Sequence, residues 1–173
     1  SFLIEEAYNQ EPGVVQHITN VRRQGRDWSF VFTQEWPLGS QDHQFSYTLP
    51  YSVLRSMGQR TSGVGDLLLN YRFQALYESR TTPAFAPRLS LVLPTGSAPK
   101  GTGDGSFGYQ VNLPFSKIVG ERLTLHANAG LTELLDVDGR RPTSLNLGGS
   151  LVYAATRDLN FLLEVVGEQS EIV

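Results

Sequence analysis

The stretch QFSYTLPYSV, residues 44–53, alternates polar or small side chains with apolar or aromatic ones. Its odd-numbered positions carry Phe, Tyr, Leu, Tyr and Val, and its even-numbered positions carry Gln, Ser, Thr, Pro and Ser. Successive side chains of a β-strand point to opposite faces, so this period of two predicts a strand with one apolar and one polar face. Residues 66–77 continue the pattern, with apolar residues again at the odd-numbered positions.

The alternation is typical of a barrel with lipid outside and a hydrogen-bonded interior. We therefore predict an all-β fold, an antiparallel up-and-down transmembrane β-barrel. Clusters of Gly, Pro, Asn, Asp and Ser separate nine strand candidates. These candidates span residues 14–21, 27–36, 43–53, 64–78, 84–94, 106–115, 121–134, 143–155 and 159–168.

Two regions follow from this pattern, an arm and a barrel domain. Residues 1–13 are acidic and rich in turn residues, which predicts a solvated N-terminal periplasmic arm, and residues 14–173 form the predicted barrel domain. Single-chain bacterial barrels have an even number of strands, so we expect one or more further strands at the C-terminus of a larger barrel. Long connections alternate with short turns, as external loops and periplasmic turns do in such barrels. The long ones are 54–63, 95–105 and 135–142, and the short ones are 37–42, 79–83, 116–120 and 156–158.

The composition excludes several classes of protein. Charged residues make up 18% of the chain, below the roughly 25% of soluble domains. There is no cysteine, which excludes a disulfide framework and cysteine-based zinc or redox sites. The net charge is -3 and no basic stripe occurs, which argues against a nucleic-acid partner. The three histidines, His17, His43 and His126, are dispersed, so we predict no metal site and no cofactor.

Three local features invite a chemical interpretation. Gly103–Gly108 matches G-x-G-x-x-G, but a strand and not a helix is predicted to follow, which excludes a dinucleotide site and favours a flexible external loop. His126 beside a serine and an acid would suggest a hydrolase triad, but a histidine in a hydrogen-bond network is the favoured interpretation, and we predict no enzyme. The acids Glu5, Glu6 and Glu11 could bind a cation or a partner, and a solvated arm is the default expectation.

Polar side chains at the even-numbered positions are the predicted lining of the lumen. Arg72, Arg88, Asp66 and Glu164 are candidates for ion pairs there, because an isolated ion in a dry interior is costly. In an open lumen these charges would tune the charge preference, whereas in a narrow barrel the polar side chains would form a hydrogen-bonded plug, which is the favoured interpretation. The candidates for the lumen are Asp66, Asn70, Arg72, Gln74, Arg88, Gln110, Asn112, His126, Asn128, Asn146, Asn160 and Glu164. The candidates for the lipid-facing side are Phe45, Tyr47, Leu49, Leu67, Leu69, Tyr71 and Phe73.

Four segments carry a family resemblance. They are GDLLLNYRF at 65–73, LVLPTGS at 91–97, YQVNLP at 109–114 and EEAYNQEPGVVQ at 5–16. Together they resemble outer-membrane β-barrel proteins associated with meta-pathway phenol degradation, which are described as transporters. The resemblance implies an outer-membrane location and uptake of small hydrophobic compounds. It supplies no motif residue that would mark a site.

Three hypotheses follow for the function. The first is a passive outer-membrane channel or transporter for small solutes, hydrophobic or aromatic compounds among them, with the lipid bilayer as its surroundings. The alternative is a plugged structural barrel that presents its loops or arm to a protein partner in an envelope assembly. The second alternative is a soluble ligand-binding barrel of the lipocalin type, whose apolar face would be buried inside.

Overall fold

The computed structural model describes residues 3–56 and 59–171, and this part of the chain is all-β. Its only helical element is a 3-10 turn at Ala98–Lys100. None of the described residues belong to a helix with the length and apolar character needed to cross a bilayer. The strands are β1 (Gln16–Gln24), β2 (Asp27–Leu38), β3 (Ser40–Ser56), β4 (Gln59–Val64), β5 (Leu67–Phe73), β6 (Ala84–Phe85), β7 (Arg88–Leu93), β8 (Gly108–Val119), β9 (Leu123–Leu134), β10 (Thr143–Ala154) and β11 (Asn160–Glu171).

Nine of these strands form one antiparallel sheet in the order β1-β2-β3-β5-β7-β8-β9-β10-β11, which curves into a half-barrel. The short β4 pairs with β3, and β6 pairs with β8. Gly25 (φ 60°) and Gly120 (φ 68°) provide the left-handed backbone needed for the tight β1–β2 and β8–β9 turns. The predictions of an all-β fold, of antiparallel strands and of about nine strands are confirmed.

The register keeps like side chains in continuous rows across the sheet. A one-residue slip would move polar side chains into an apolar row, so the alternating pattern fixes the pairing. One polar row consists of Gln44, Arg72, Arg88, Asn112, Gly130 and Asn146. The adjacent apolar row consists of Phe45, Tyr71, Leu89, Val111, Leu131 and Leu145.

The two faces of the sheet differ in exposure, and the difference is the reverse of that in a soluble protein. On the polar face Ser90 is 0% and Asn70 3% exposed, whereas on the apolar face Leu91 is 51% and Leu147 66% exposed. Among the described residues the buried hydrophobic side chains are few, and half of them are alanines. The folded chain therefore encloses its hydrophilic side and presents its hydrocarbon side outward.

Two segments differ most from the sequence-based prediction, one expected as a connection and one as a strand. The expected loop at 54–63 is partly regular, because β3 continues to Ser56 and β4 returns along it. Within the expected strand at 64–78, Val64 ends β4 and Leu67–Phe73 form β5, at whose end the Phe73 N–H donates to the Pro87 carbonyl at 3.0 Å. Proline has no N–H to return, so the β5–β7 ladder ends there. Residues 74–87 form an irregular excursion that contains β6.

Candidate functional site: the polar face and its plug segment

Residues 3–11, which we call the plug segment, lie across the polar face of the sheet. The backbone N–H groups of residues 3, 5, 7, 9 and 10 donate to polar side chains distributed across the sheet instead of to other backbone groups. The bonds are Leu3 to Glu164 (3.2 Å), Glu5 to Asn128 (2.8 Å), Ala7 to Ser116 (2.8 Å), Asn9 to Gln74 (3.0 Å) and Gln10 to Gln44 (2.7 Å). The plug segment thereby spans the sheet from β11 to β3.

Two amides return hydrogen bonds to the plug segment. Asn128 Nδ2 donates to the Glu5 carbonyl at 2.8 Å, and Gln74 Nε2 donates to the Ala7 carbonyl at 2.9 Å. Both side chains also accept a backbone N–H of the plug segment through their amide oxygen. An amide can do both because its oxygen accepts and its NH₂ group donates. An irregular buried backbone needs partners for both its N–H and its C=O groups. The amide-rich polar face supplies them.

The expectation of a solvated arm is therefore wrong for most of this segment. Ile4, Ala7 and Asn9 are buried, while Glu6 and Glu11 are exposed. Ile4 fits over Gly148, where an added Cβ would lie 2.3 Å from Ile4 Cδ1. Ala7 packs against Ala84 and Ala86 of the 74–87 excursion. The placement of this segment in the periplasm stays a prediction.

The central contact of the plug segment is a charge cluster formed by Glu5, Arg72, Arg88 and Asn112. Glu5 Oε1 lies 3.2 Å from Arg72 Nη1, and Glu5 Oε2 lies 3.0 Å from Arg88 Nε. Asn112 Nδ2 donates to the same Oε2 at 2.6 Å. Burial by itself would raise the pKa of Glu5, but Arg88 and Arg72 together hold that pKa below its ordinary value. Glu5 is thus a carboxylate stabilised by two guanidinium groups.

Neutral groups hold the two arginines in place. Arg88 donates to Ser90 Oγ (2.7 Å) on its own strand β7, and to Asn70 Oδ1 (3.0 Å) and Gln110 Oε1 (2.9 Å) on the neighbouring strands β5 and β8. Arg72 has different partners, because its remaining N–H groups donate to Asn9 Oδ1 (2.7 Å) and to the carbonyls of Glu6 and Tyr8 in the plug segment. The sheet alone therefore positions Arg88, whereas Arg72 depends on the plug segment.

The expected pairing of Arg72 and Arg88 with Asp66 and Glu164 is wrong. Glu164 accepts hydrogen bonds from the plug segment at Leu3, and Asp66 binds a loop. The missed residue is Glu5, whose charge the sequence shows but whose position it does not. One feature of the sequence pointed to such an acid: two arginines at polar strand positions require a carboxylate partner from elsewhere in the chain.

A second contact fixes the plug segment near the shorter turns. Tyr8 Oη donates to Glu78 Oε2 at 2.6 Å, and Lys117 Nζ lies 3.2 Å from Glu78 Oε1. Burial would raise the pKa of Glu78, but the bonds from Tyr8, the Ile118 N–H and Lys117 lower it on balance. Glu78 therefore links the plug segment to β8 as an anion.

The structure brings His126 together with a serine. Ser116 Oγ lies 2.7 Å from His126 Nδ1, and both residues are buried. Ser116 also accepts the Ala7 N–H and is only 1% exposed, so the plug segment covers the hydroxyl. A nucleophile needs access to the carbonyl that it attacks. This serine–histidine pair belongs to a hydrogen-bond network, which was the favoured interpretation of His126.

The glycine-rich loop between β7 and β8 is held by Asp66. The Gly96 N–H donates to Asp66 Oδ1 at 2.9 Å, and the Asp104 N–H donates to Oδ2 at 2.8 Å. A Cβ at Gly103 would lie 2.5 Å from Asp66 Oδ1, so this close approach requires glycine. The expected free loop is instead tied to the sheet. At Gly108 the chain enters β8, so no helix follows the G-x-G-x-x-G match.

A cavity of about 550 Å³ lies beside this loop on the polar side of the sheet. Its lining includes Thr102, Asp104, Gln110 and Thr132, together with apolar groups such as Leu68. Burial, followed by the nearby charge of Asp66, raises the pKa of Asp104. Gln110 both lines the cavity and accepts the bond from Arg88. The cavity therefore borders the charge cluster.

The remaining candidate residues separate by face. Among the lumen candidates, Asp66, Asn70, Arg72, Gln74, Asn112, His126 and Asn128 are buried, Arg88, Gln110, Asn146 and Glu164 are half-buried, and Asn160 is exposed. Among the lipid-facing candidates, Leu49, Tyr71 and Phe73 are exposed, and Phe45, Tyr47, Leu67 and Leu69 are half-buried. A lipocalin would bury all seven apolar residues, so the orientation is opposite to that hypothesis. Within the described residues no three His, Asp or Glu side chains cluster in a way that could hold a metal ion.

An antiparallel half-barrel with its polar face enclosed and its apolar face outward defines a β-barrel type of protein. The chain belongs to the family described as "Putative MetA-pathway of phenol degradation", whose model matches residues 7–169. The resemblance inferred from the four sequence segments is thereby confirmed. No curated protein matches the chain. Fold and family are both consistent with an outer-membrane protein.

Proposed function

We propose that this protein is an outer-membrane β-barrel through which small solutes cross, with the plug segment closing the path at rest. The observation that carries the proposal is the plug segment, which bonds to polar side chains from β11 to β3 and centres on Glu5. Solutes can pass an interior filled in this way only when the segment moves. Small aromatic compounds are the proposed solutes, because the family description refers to phenol degradation.

The surface and strand lengths support a membrane location. Each of β8 to β11 has 12 residues, against about 9–11 for a tilted strand that crosses the hydrocarbon layer. Exposed leucines such as Leu91 and Leu147 would contact acyl chains there. Unpaired backbone groups are costly in lipid, so in the membrane β1 and β11 need strand partners that close the sheet into a barrel.

The proposed path begins at the cavity beside the β7–β8 loop. A solute there meets Gln110 and Thr132, whose side chains also bond to each other at 2.9 Å, and then the charge cluster. Amide and hydroxyl groups along the polar rows can replace the water that a phenol-like solute loses on entry. No chemical step is needed for passage of this kind.

Reconstitution into planar bilayers and liposomes tests the proposal. We expect low conductance and slow solute-driven liposome swelling for the wild type. Glu5→Ala should increase both, because it removes the central bond of the plug segment. Glu11→Ala is the matched control, since Glu11 is an exposed acid of the same segment, and it should behave as the wild type.

Two results would contradict the proposal. A protein that stays in the aqueous fraction without detergent has no outer-membrane role of this kind. A membrane-embedded protein whose Glu5→Ala form is as closed as the wild type does not use the plug segment to control passage.

The extent of hydrogen bonding to the plug segment also favours a second candidate function. A segment held at both Glu5 and Tyr8 suits a permanently closed barrel that presents its loops to a protein partner in the envelope. Such a protein would insert into the membrane, and neither the wild type nor Glu5→Ala would conduct. Cross-linking in whole cells would then identify a partner at the loops.

A further inference from the structure

The groups around Glu5 form a complete receptor for a carboxylate. Two guanidinium groups face its two oxygens at 3.2 and 3.0 Å, and the amide of Asn112 adds a donor at 2.6 Å. We propose that Glu5 occupies a binding site for small carboxylate solutes, which displace it during passage. This inference rests on the proposed transport function and names its substrate class.

The Arg88 and Asn112 part of the site is preorganised on the sheet, whereas the plug segment positions Arg72. Arg88 keeps three hydrogen bonds, to Asn70, Ser90 and Gln110, when Glu5 is removed. Asn112 lies next to Arg88 in the register of β7 and β8, so both donors stay on one surface without the plug segment. Preorganised donors lose little conformational entropy on binding, which favours a ligand that replaces Glu5.

Charge makes the site selective. When Glu5 leaves, Arg72 and Arg88 lose their carboxylate, and Glu35 of β2 acts on the two arginines through its charge without forming an ion pair with either. A poorly compensated charge in a half-buried site is costly, and an incoming carboxylate removes that cost. A neutral alcohol of the same shape does not. The site therefore distinguishes a carboxylate from an uncharged solute of equal size.

Access and an unused acceptor support the same inference. Gln110 lines the 550 Å³ cavity and accepts a hydrogen bond from Arg88, so only the Gln110 side chain separates a solute in the cavity from Arg88.

Asn112 Oδ1 is buried and has no hydrogen-bond partner among the described residues. Glu5 has no donor to offer it. A carboxylate that also carries a hydroxyl group can satisfy this atom, which Glu5 leaves unpaired.

Calorimetric titration of the detergent-solubilised protein with sodium benzoate tests the inference, and benzyl alcohol is the uncharged probe. We expect Glu5→Ala to bind benzoate roughly tenfold more tightly than the wild type, because the internal competitor is gone. Glu5→Ala combined with Arg88→Gln should lose that gain. Glu11→Ala should bind as the wild type. Benzyl alcohol should show no difference among the variants.

Glu5→Gln keeps the protein measurable if Glu5→Ala folds poorly, because glutamine has the same shape and no charge. Its benzoate affinity should also exceed that of the wild type. The inference is overturned if neither variant binds benzoate more tightly than Glu11→Ala, or if benzyl alcohol binds as well as benzoate. Binding in detergent involves no flux, so this result stands apart from the conductance that tests the transport function.

Discussion

Glu5 and Arg88 are 83 positions apart in the sequence and form an ion pair with an Nε–Oε2 distance of 3.0 Å. The pair joins an irregular N-terminal segment to the middle of a nine-stranded sheet. Because Arg72 binds the other oxygen of the same carboxylate, one acid neutralises charge on two strands. The enclosed face of this sheet is therefore held together by the plug segment as much as by its own side chains.

Removal of Glu5 should destabilise the folded protein measurably. Glu5→Ala leaves Arg72 and Arg88 without their carboxylate, and breaking a buried pair in this way costs up to about 3–5 kcal/mol. Glu5 retains 23% side-chain exposure, so we expect roughly 2 kcal/mol in the free energy of unfolding. Urea unfolding in lipid vesicles measures this value. Glu11→Ala should change it by less than about 0.5 kcal/mol, and an equal effect of both variants would contradict the role given to the pair.

Acid should release the plug segment. The pKa of Glu5 is lowered from 4.5, so its contribution to docking is fully present above about pH 4.5 and is lost as the pH falls through the lowered value. Glu35 lies nearby, and Glu78 and Glu164 are the other acids that bond to the plug segment. The chain has no cysteine, so a nitroxide on Leu3→Cys, an exposed site, reports the mobility of the segment.

The control for this titration is Glu5→Gln, which cannot ionise at position 5. The labelled Glu5→Gln protein should show a more mobile spectrum at neutral pH and little further change in acid. If it titrates as the wild type does, another group such as Glu35 governs the release, and Glu5 does not.

A methyl group at position 148 should displace the plug segment. Gly148→Ala places a Cβ where Ile4 Cδ1 lies only 2.3 Å away, and overpacking of this kind costs about 1–3 kcal/mol. Gly149→Ala is a closely matched control, because its added Cβ would lie 3.8 Å from the His126 carbonyl oxygen. The mobility of a label on Leu3→Cys should rise in the first variant only. Equal spectra would show that Ile4 accommodates the change without leaving the sheet.

The faces of the sheet could be predicted because they depend on local alternation, and the strand order because strands that are neighbours in sequence usually pair. Phe45 and Tyr71 are both at odd-numbered positions, and the pairing of β3 with β5 places them opposite each other. Gln44 and Arg72 follow on the other face for the same reason. The period of two within each strand is enough to assign each side chain to a face, without knowledge of which distant residues it contacts.

The plug segment could not be predicted in the same way. Residues 3–11 have no periodic pattern, and their bonds to Asn128 and Ser116 join positions more than 100 residues apart. Acidic residues near a chain terminus are usually solvated, which made the wrong expectation the natural one. Asp66 was similarly assigned to an ion pair, although its oxygens accept backbone N–H groups of Gly96 and Asp104.

A charge on the outward face should prevent membrane insertion. Leu91 is 51% exposed on β7, and an arginine near the middle of the hydrocarbon layer costs about 2–4 kcal/mol in a β-barrel. Leu91→Arg should therefore fold into lipid vesicles less efficiently than the wild type, as measured by protection from protease. Arg122→Leu is the control for altered charge, because Arg122 is exposed in the turn before β9. In a water-soluble protein Leu91→Arg would have little effect on folding, since an exposed leucine tolerates a charged replacement there. Normal insertion of Leu91→Arg would thus place this face in water and contradict the proposed orientation.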